Sequence, residues 1–125
     1  MNKNYQLCLL YLVHLLMSSD GVVDDNETQA LNTIKGKEGI SETVFDEFKE
    51  AIRTKRGREI YQTGIEYMNR CTDEEKLRAF VILYKMSEVD GRVHVKEVRL
   101  LLYCIKVSGI EFDDVVAKAS ISSIG

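Results

Sequence analysis

Residues 20–40 and 90–110 are two copies of one passage, and any fold this chain adopts must build that passage twice. At an offset of 70 (90 minus 20), Asp20 pairs with Asp90, Gly21 with Gly91, Val23 with Val93, Glu27 with Glu97, Leu31 with Leu101, Gly39 with Gly109 and Ile40 with Ile110. These are seven identities over 21 ungapped positions. Unrelated passages agree at roughly one position in twenty, so internal duplication is the explanation. The repeated content is Asp-Gly, a small apolar residue, and a Glu seven residues after the Asp. That pattern describes a loop feeding a helix. The apolar stretches Leu7 to Met17 and Leu77 to Met86 lead into the two copies in the same way, so the half-repeats run approximately over 5–40 and 75–110.

The periodicity around the copies is helical throughout. Tyr5 to Ser18 is apolar on most sides and predicts a buried helix. After the first Asp-Gly loop, Asp24 is placed as an N-cap with Glu27 three residues on, a variant of the capping box. The helix then continues through Ala30, Leu31 and Ile34, with Gly36 and Gly39 as its stop signals. Ser41 caps a helix with the stripe Val44, Phe45, Phe48 and Ile52. A basic break over Arg53 to Arg58 contains Gly57, and Ile60, Tyr61, Ile65 and Met68 mark a fourth helix. Thr72 and Glu75 form another capping box, opening a helix through Phe80, Leu83 and Met86. After the second Asp-Gly loop come Val95 to Val107, ended by Gly109, and a short helix over about Phe112 to Ser120. No segment alternates as a strand does. The expected fold is all-α: a single compact domain over 1–125, a bundle of about seven helices in two pseudo-twofold halves, with the two Asp-Gly loops on comparable surfaces.

Composition sets limits on function. A net charge of −3 and a pI near 5.4 give no footprint for nucleic acid. The three cysteines, Cys8, Cys71 and Cys104, are odd in number, form no CxxC pair and sit in apolar or helical contexts, which reads as reduced core thiols in a cytoplasmic protein. Lys3 followed by Leu7 to Met17 has the outline of a signal peptide. However, the stretch is shorter than the roughly 20 residues of a membrane span, no small-x-small site follows it, and its counterpart before the second copy marks it as half of a structural repeat.

The repeated acids point to two chemistries. With Gly21 and Gly91 at the glycine position of an EF-hand loop, Glu27 and Glu97 fall at its final ligand, but its first ligand falls on Leu16 and Met86, which cannot coordinate. An EF-hand proper is therefore not expected. Asp20, Glu27, Asp90 and Glu97 together present up to four carboxylates, the oxygen donors that Mg²⁺, Ca²⁺ or Mn²⁺ prefer. Asp24 and His94 are secondary candidates, and because they differ, the two copies are not chemically equal. Equally, Glu27 and Glu97 can close back on their helix N-termini, and Asp20 and Asp90 can bond within their own loops, as purely structural acids.

Asp-Gly-x-Val-x-x-x-Glu at a helix start, twice, in an all-helical chain of this length resembles the TerB-like family, named for tellurite-resistance proteins. A related domain opens certain membrane-anchored DnaJ-type co-chaperones. The resemblance covers nearly the whole chain. It implies a helical bundle with metal-binding acids, here Asp20, Glu27, Asp90 and Glu97. It also implies a role in stress response or in protein scaffolding at the cytoplasmic membrane face, and no catalysis. Ser19 and Val89 stand where family members commonly carry a small residue such as Ala before the Asp-Gly.

Other signals are weaker. Arg53, Lys55, Arg56 and Arg58 form the densest basic run, a docking patch for an acidic partner or lipid head groups, or a solvated inter-helix loop. His14 reads as a satisfied core histidine. Tyr11, Tyr61, Tyr67, Tyr84 and Tyr103 fall in helices and are expected to line the core with their hydroxyls at its edge. No HExxH, phosphate-binding glycine loop or GxSxG is present. A carboxylate-dependent hydrolase would need a deep pocket holding two of the acids. The expectation is a non-enzymatic module that binds a divalent cation and other proteins. The alternative is a plain helical scaffold whose acids serve only the fold.

Overall fold

The computed structural model describes residues 3–17, 25–89, 95–105 and 110–122. Among them the chain is all-α, with seven helices and no strand: α1 (Lys3–Met17), α2 (Asp25–Glu38), α3 (Glu42–Thr54), α4 (Gly57–Asn69), α5 (Asp73–Val89), α6 (Val95–Ile105) and α7 (Phe112–Ser122). They form two compact units, Met1–Arg70 with α1 to α4 and Cys71–Gly125 with α5 to α7. Each copy of the duplicated passage therefore serves a helix pair inside its own unit, α1 with α2 and α5 with α6. Both Asp-Gly loops lie outside the described residues, and so do Gly109 and the expected end of α6.

In the first unit α1 packs against α2, α3 and α4 at once. Three neighbours leave it no solvent face, and every residue from Tyr5 to His14 is buried. That is why its sequence is apolar all round. Its approach to α4 is close: a Cβ on Gly64 would sit 3.3 Å from the Tyr11 Cβ. Phe48 of α3 meets the Tyr11 ring edge-on at 5.2 Å, and Tyr67 of α4 stacks on it at 5.7 Å. Burial, then Tyr67 and Glu47 nearby, push the Tyr11 hydroxyl up to about 12 from an ordinary 10. Cys8 is buried here, and Cys71 in the second unit.

The helix ends are local chemistry. At the end of α2, Gly39 takes φ +63° and the Ile40 N–H donates to the Lys35 carbonyl at 3.0 Å. This is the left-handed, back-bonded stop that favours glycine, sealed by the buried Ile40. Gly36, expected to share in the stop, instead lies inside the helix. The Ser41 hydroxyl caps α3 by accepting from Val44 N–H at 3.3 Å. α3 continues through Arg53 and α4 already begins at Gly57, so the expected basic break shrinks to Lys55 and Arg56.

The second unit is built on α5, which packs against both α6 and α7. Its capping box forms as expected: Thr72 N–H donates to Glu75 Oε1 at 2.9 Å, and Glu75 N–H to Thr72 Oγ1 at 3.1 Å. Ala79, Phe80 and Leu83 from α5, Val98 and Leu102 from α6, and Val115 and Ala119 from α7 are buried. Among the described residues no helix is long and apolar enough to cross a membrane.

Candidate functional site

Of the two repeated acids among the described residues, Glu27 and Glu97, it is Glu27 that is placed in a core. It is 1% exposed, on the first turn of α2, and faces His14 of α1, which is 3% exposed. The His14 Nδ1–H donates to the carboxylate, with both oxygens 3.1 Å from the nitrogen. An acid and an imidazole buried together satisfy one another, which each needs once removed from water. Phe48 closes the site, its ring 6.2 Å from the imidazole and steeply inclined to it. His14 is thus the satisfied core histidine expected. No local pattern marks its partner, 13 residues away along the chain.

Glu97, the aligned acid, is exposed at the start of α6. The two copies differ in which face of the aligned helix is buried within its own unit. α2 buries Glu27, Leu31 and Ile34, while Thr28 and Asn32 face solvent. The residues aligned with Thr28 and Asn32 are Val98 and Leu102, and these are the ones α6 buries. Two polar positions in one copy became apolar in the other. The inward face followed them, carrying Glu97 to the surface and leaving Leu101 half-buried.

The other candidate ligands, Asp20, Asp24, Asp90 and His94, lie outside the described residues. Among the described residues no three His, Cys, Asp or Glu side chains gather as a group able to hold a metal ion.

The basic run is divided among elements and partners. Arg53 closes α3 and bonds both oxygens of Glu50, at 2.8 and 2.6 Å, which raises its pKa. Lys55 Nζ donates to Thr63 Oγ1 at 3.4 Å. Arg56 and Arg58 are exposed on either side of Gly57. The four cations are thus divided between the end of α3, the short connection and the start of α4.

A surface that sequence reading missed lies on α6. Tyr103, expected to line the core, is 57% exposed, and Leu100 is 61% exposed. The Arg99 guanidinium lies 5.7 Å from the centre of the Tyr103 ring and 5.6 Å from that of Phe112 on α7. Phe112 in turn meets Tyr84 of α5 edge-on at 6.0 Å. A hydrogen bond to Tyr103, and then Asp113 nearby, raise the Arg99 pKa above its ordinary value. The signal for this surface was the spacing Lys96, Leu100, Tyr103, a ridge at i, i+4, i+7 that competes with the buried Val98 and Leu102.

Comparisons with protein-family models, with curated proteins and with solved structures each returned no match.

Proposed function

We propose that this chain is a non-enzymatic helical interaction module, TerB-like in kind, whose repeated acids serve the fold first. The observation that carries this is Glu27, buried on His14 and spent in joining α1 to α2. An acid–imidazole pair is the sort of dyad that does acid–base chemistry, but here it is shut away from any substrate. The all-α build and the duplicated Asp-Gly-x-Val-x-x-x-Glu support the TerB-like assignment. With it come a cytoplasmic setting, a tellurite-type or other stress role, and scaffolding of partner proteins at the membrane face.

A second function, divalent-cation binding, is favoured by the exposure of Glu97. With Glu27 engaged, the repeated acids left for a cation are Asp20 in the first copy and Asp90 with Glu97 in the second. Thermal unfolding of chelator-treated protein separates the two. A cation that binds the native state at a hundred times its Kd adds about 2.7 kcal/mol. As a scaffold, the protein melts at the same temperature with and without millimolar Mg²⁺, Ca²⁺ or Mn²⁺. A cation-specific rise in Tm that Asp20→Asn with Asp90→Asn removes establishes the cation site instead.

A further inference from the structure

Every large apolar side chain that is exposed among the described residues belongs to one helix: Val95, Leu100 and Tyr103 of α6. Scattered exposed apolar residues need no explanation, but Leu100 and Tyr103 standing together on one face of α6, away from Val95, do. At about 100° per residue, Lys96, Leu100 and Tyr103 form the ridge opposite the buried Val98 and Leu102, with Arg99 beside Tyr103. The duplication provides an internal control. The exposed residues of α2, the helix aligned with α6, include Asp25, Thr28, Gln29, Asn32, Thr33, Gly36 and Lys37, with no large apolar side chain among them. Solvent alone asks for a face like that one. The α6 face departs from it by a leucine and a tyrosine.

Resting on the interaction-module proposal above, we infer that the Lys96–Leu100–Tyr103 ridge docks an amphipathic helix of another protein, with carboxylates lining its apolar stripe. A ridge at i, i+4, i+7 is the form that seats against a second helix. Arg99, held between the Tyr103 and Phe112 rings, and Lys96, on the ridge itself, select for acid on the Tyr103 side. Glu97 lies on the opposite flank. A second copy of this chain does not answer the description. Its exposed large apolar residues, among those described, are on α6 itself, so self-pairing sets cation against cation. A membrane does not answer it either. Two cations at about 1 kcal/mol each, with two apolar side chains, fall short of stable anchoring.

The test uses the whole chain, isotope-labelled, and three synthetic helical peptides: one with leucines at i, i+3, i+4, i+7 flanked by Glu, one with Lys in place of every Glu, and one keeping Glu with Ser in place of every Leu. The expected result is that only the first moves the amide resonances of residues 96–103, binding at least tenfold more tightly than the other two. Leu100→Ser with Tyr103→Ser, both surface changes that keep the native spectrum, should weaken it by at least tenfold. Equal binding of the Lys peptide, no binding of the first peptide, or occupation of the ridge by phosphatidylserine vesicles instead overturns the inference. Binding of the acidic peptide away from α6 removes the ridge from the account while leaving an interaction role standing.

Discussion

Replacing Glu27 and Glu97 by alanine in turn should give very different results, although the duplication aligns them. Glu27→Ala removes a carboxylate that is 1% exposed and leaves His14, 3% exposed, with its Nδ1–H deprived of two oxygens at 3.1 Å. An orphaned buried donor costs roughly 1–3 kcal/mol, the cost expected here. Glu97 is exposed, and its removal should stay within about 0.5 kcal/mol. Urea unfolding followed by far-ultraviolet circular dichroism measures both. A cycle adding His14→Ala isolates the pair: the double variant should be less damaged than the sum of the singles, with a coupling of about 1–3 kcal/mol. If Glu27→Ala unfolds like the wild type, or Glu97→Ala costs as much, the division of roles between the two acids is wrong.

The two glycines of α2 should respond with opposite signs. Gly36 is helical with open space around it, so Gly36→Ala should stabilise by about 0.5–1 kcal/mol. Gly39 sits at φ +63°, and Gly39→Ala should destabilise by about 1 kcal/mol. Matching signs in denaturant melts would contradict the assigned end of α2. Tyr11 should ionise near pH 12, seen at 295 nm as a late step that Tyr11→Phe abolishes. Because the folded state holds this proton above the ordinary value of 10, the associated stability is complete below pH 10 and is lost as pH rises from 10 through 12. A Tyr11→Phe titration identical to the wild type in that range would remove Tyr11 from the buried position given to it.

Most of the fold was legible because its signals are local. The Thr72–Glu75 box, the Ser41 cap and the Gly39 stop each act within about five residues, and the surrounding sequence states both partners. The inward stripe of α3 was equally plain, since Val44, Phe45 and Phe48 leave only one apolar side. The site was less legible because it depends on how helices roll and dock. Nothing near Glu27 names His14, which reaches it only through the α1–α2 packing. Alignment made Glu27 and Glu97 equivalent, and only the change from Thr28 and Asn32 to Val98 and Leu102 turned one inward and the other out. α6 offered two apolar stripes, and the sequence alone did not say which would be buried, so Tyr103 was assigned to the core. Gly36 was read as a stop because glycine is costly in a helix; a cost of about 1 kcal/mol is one that packing of Leu31 and Ile34 can absorb.

Calorimetric titration of the chelator-stripped chain with Mg²⁺, Ca²⁺ and Mn²⁺ bears most directly on whether the repeated acids serve the fold or an ion. Structural acids give only heats of dilution for all three cations, in the wild type and in Asp20→Asn with Asp90→Asn alike. A saturable, stoichiometric isotherm in the wild type that vanishes in the double variant would contradict that, and would make this an ion-dependent module.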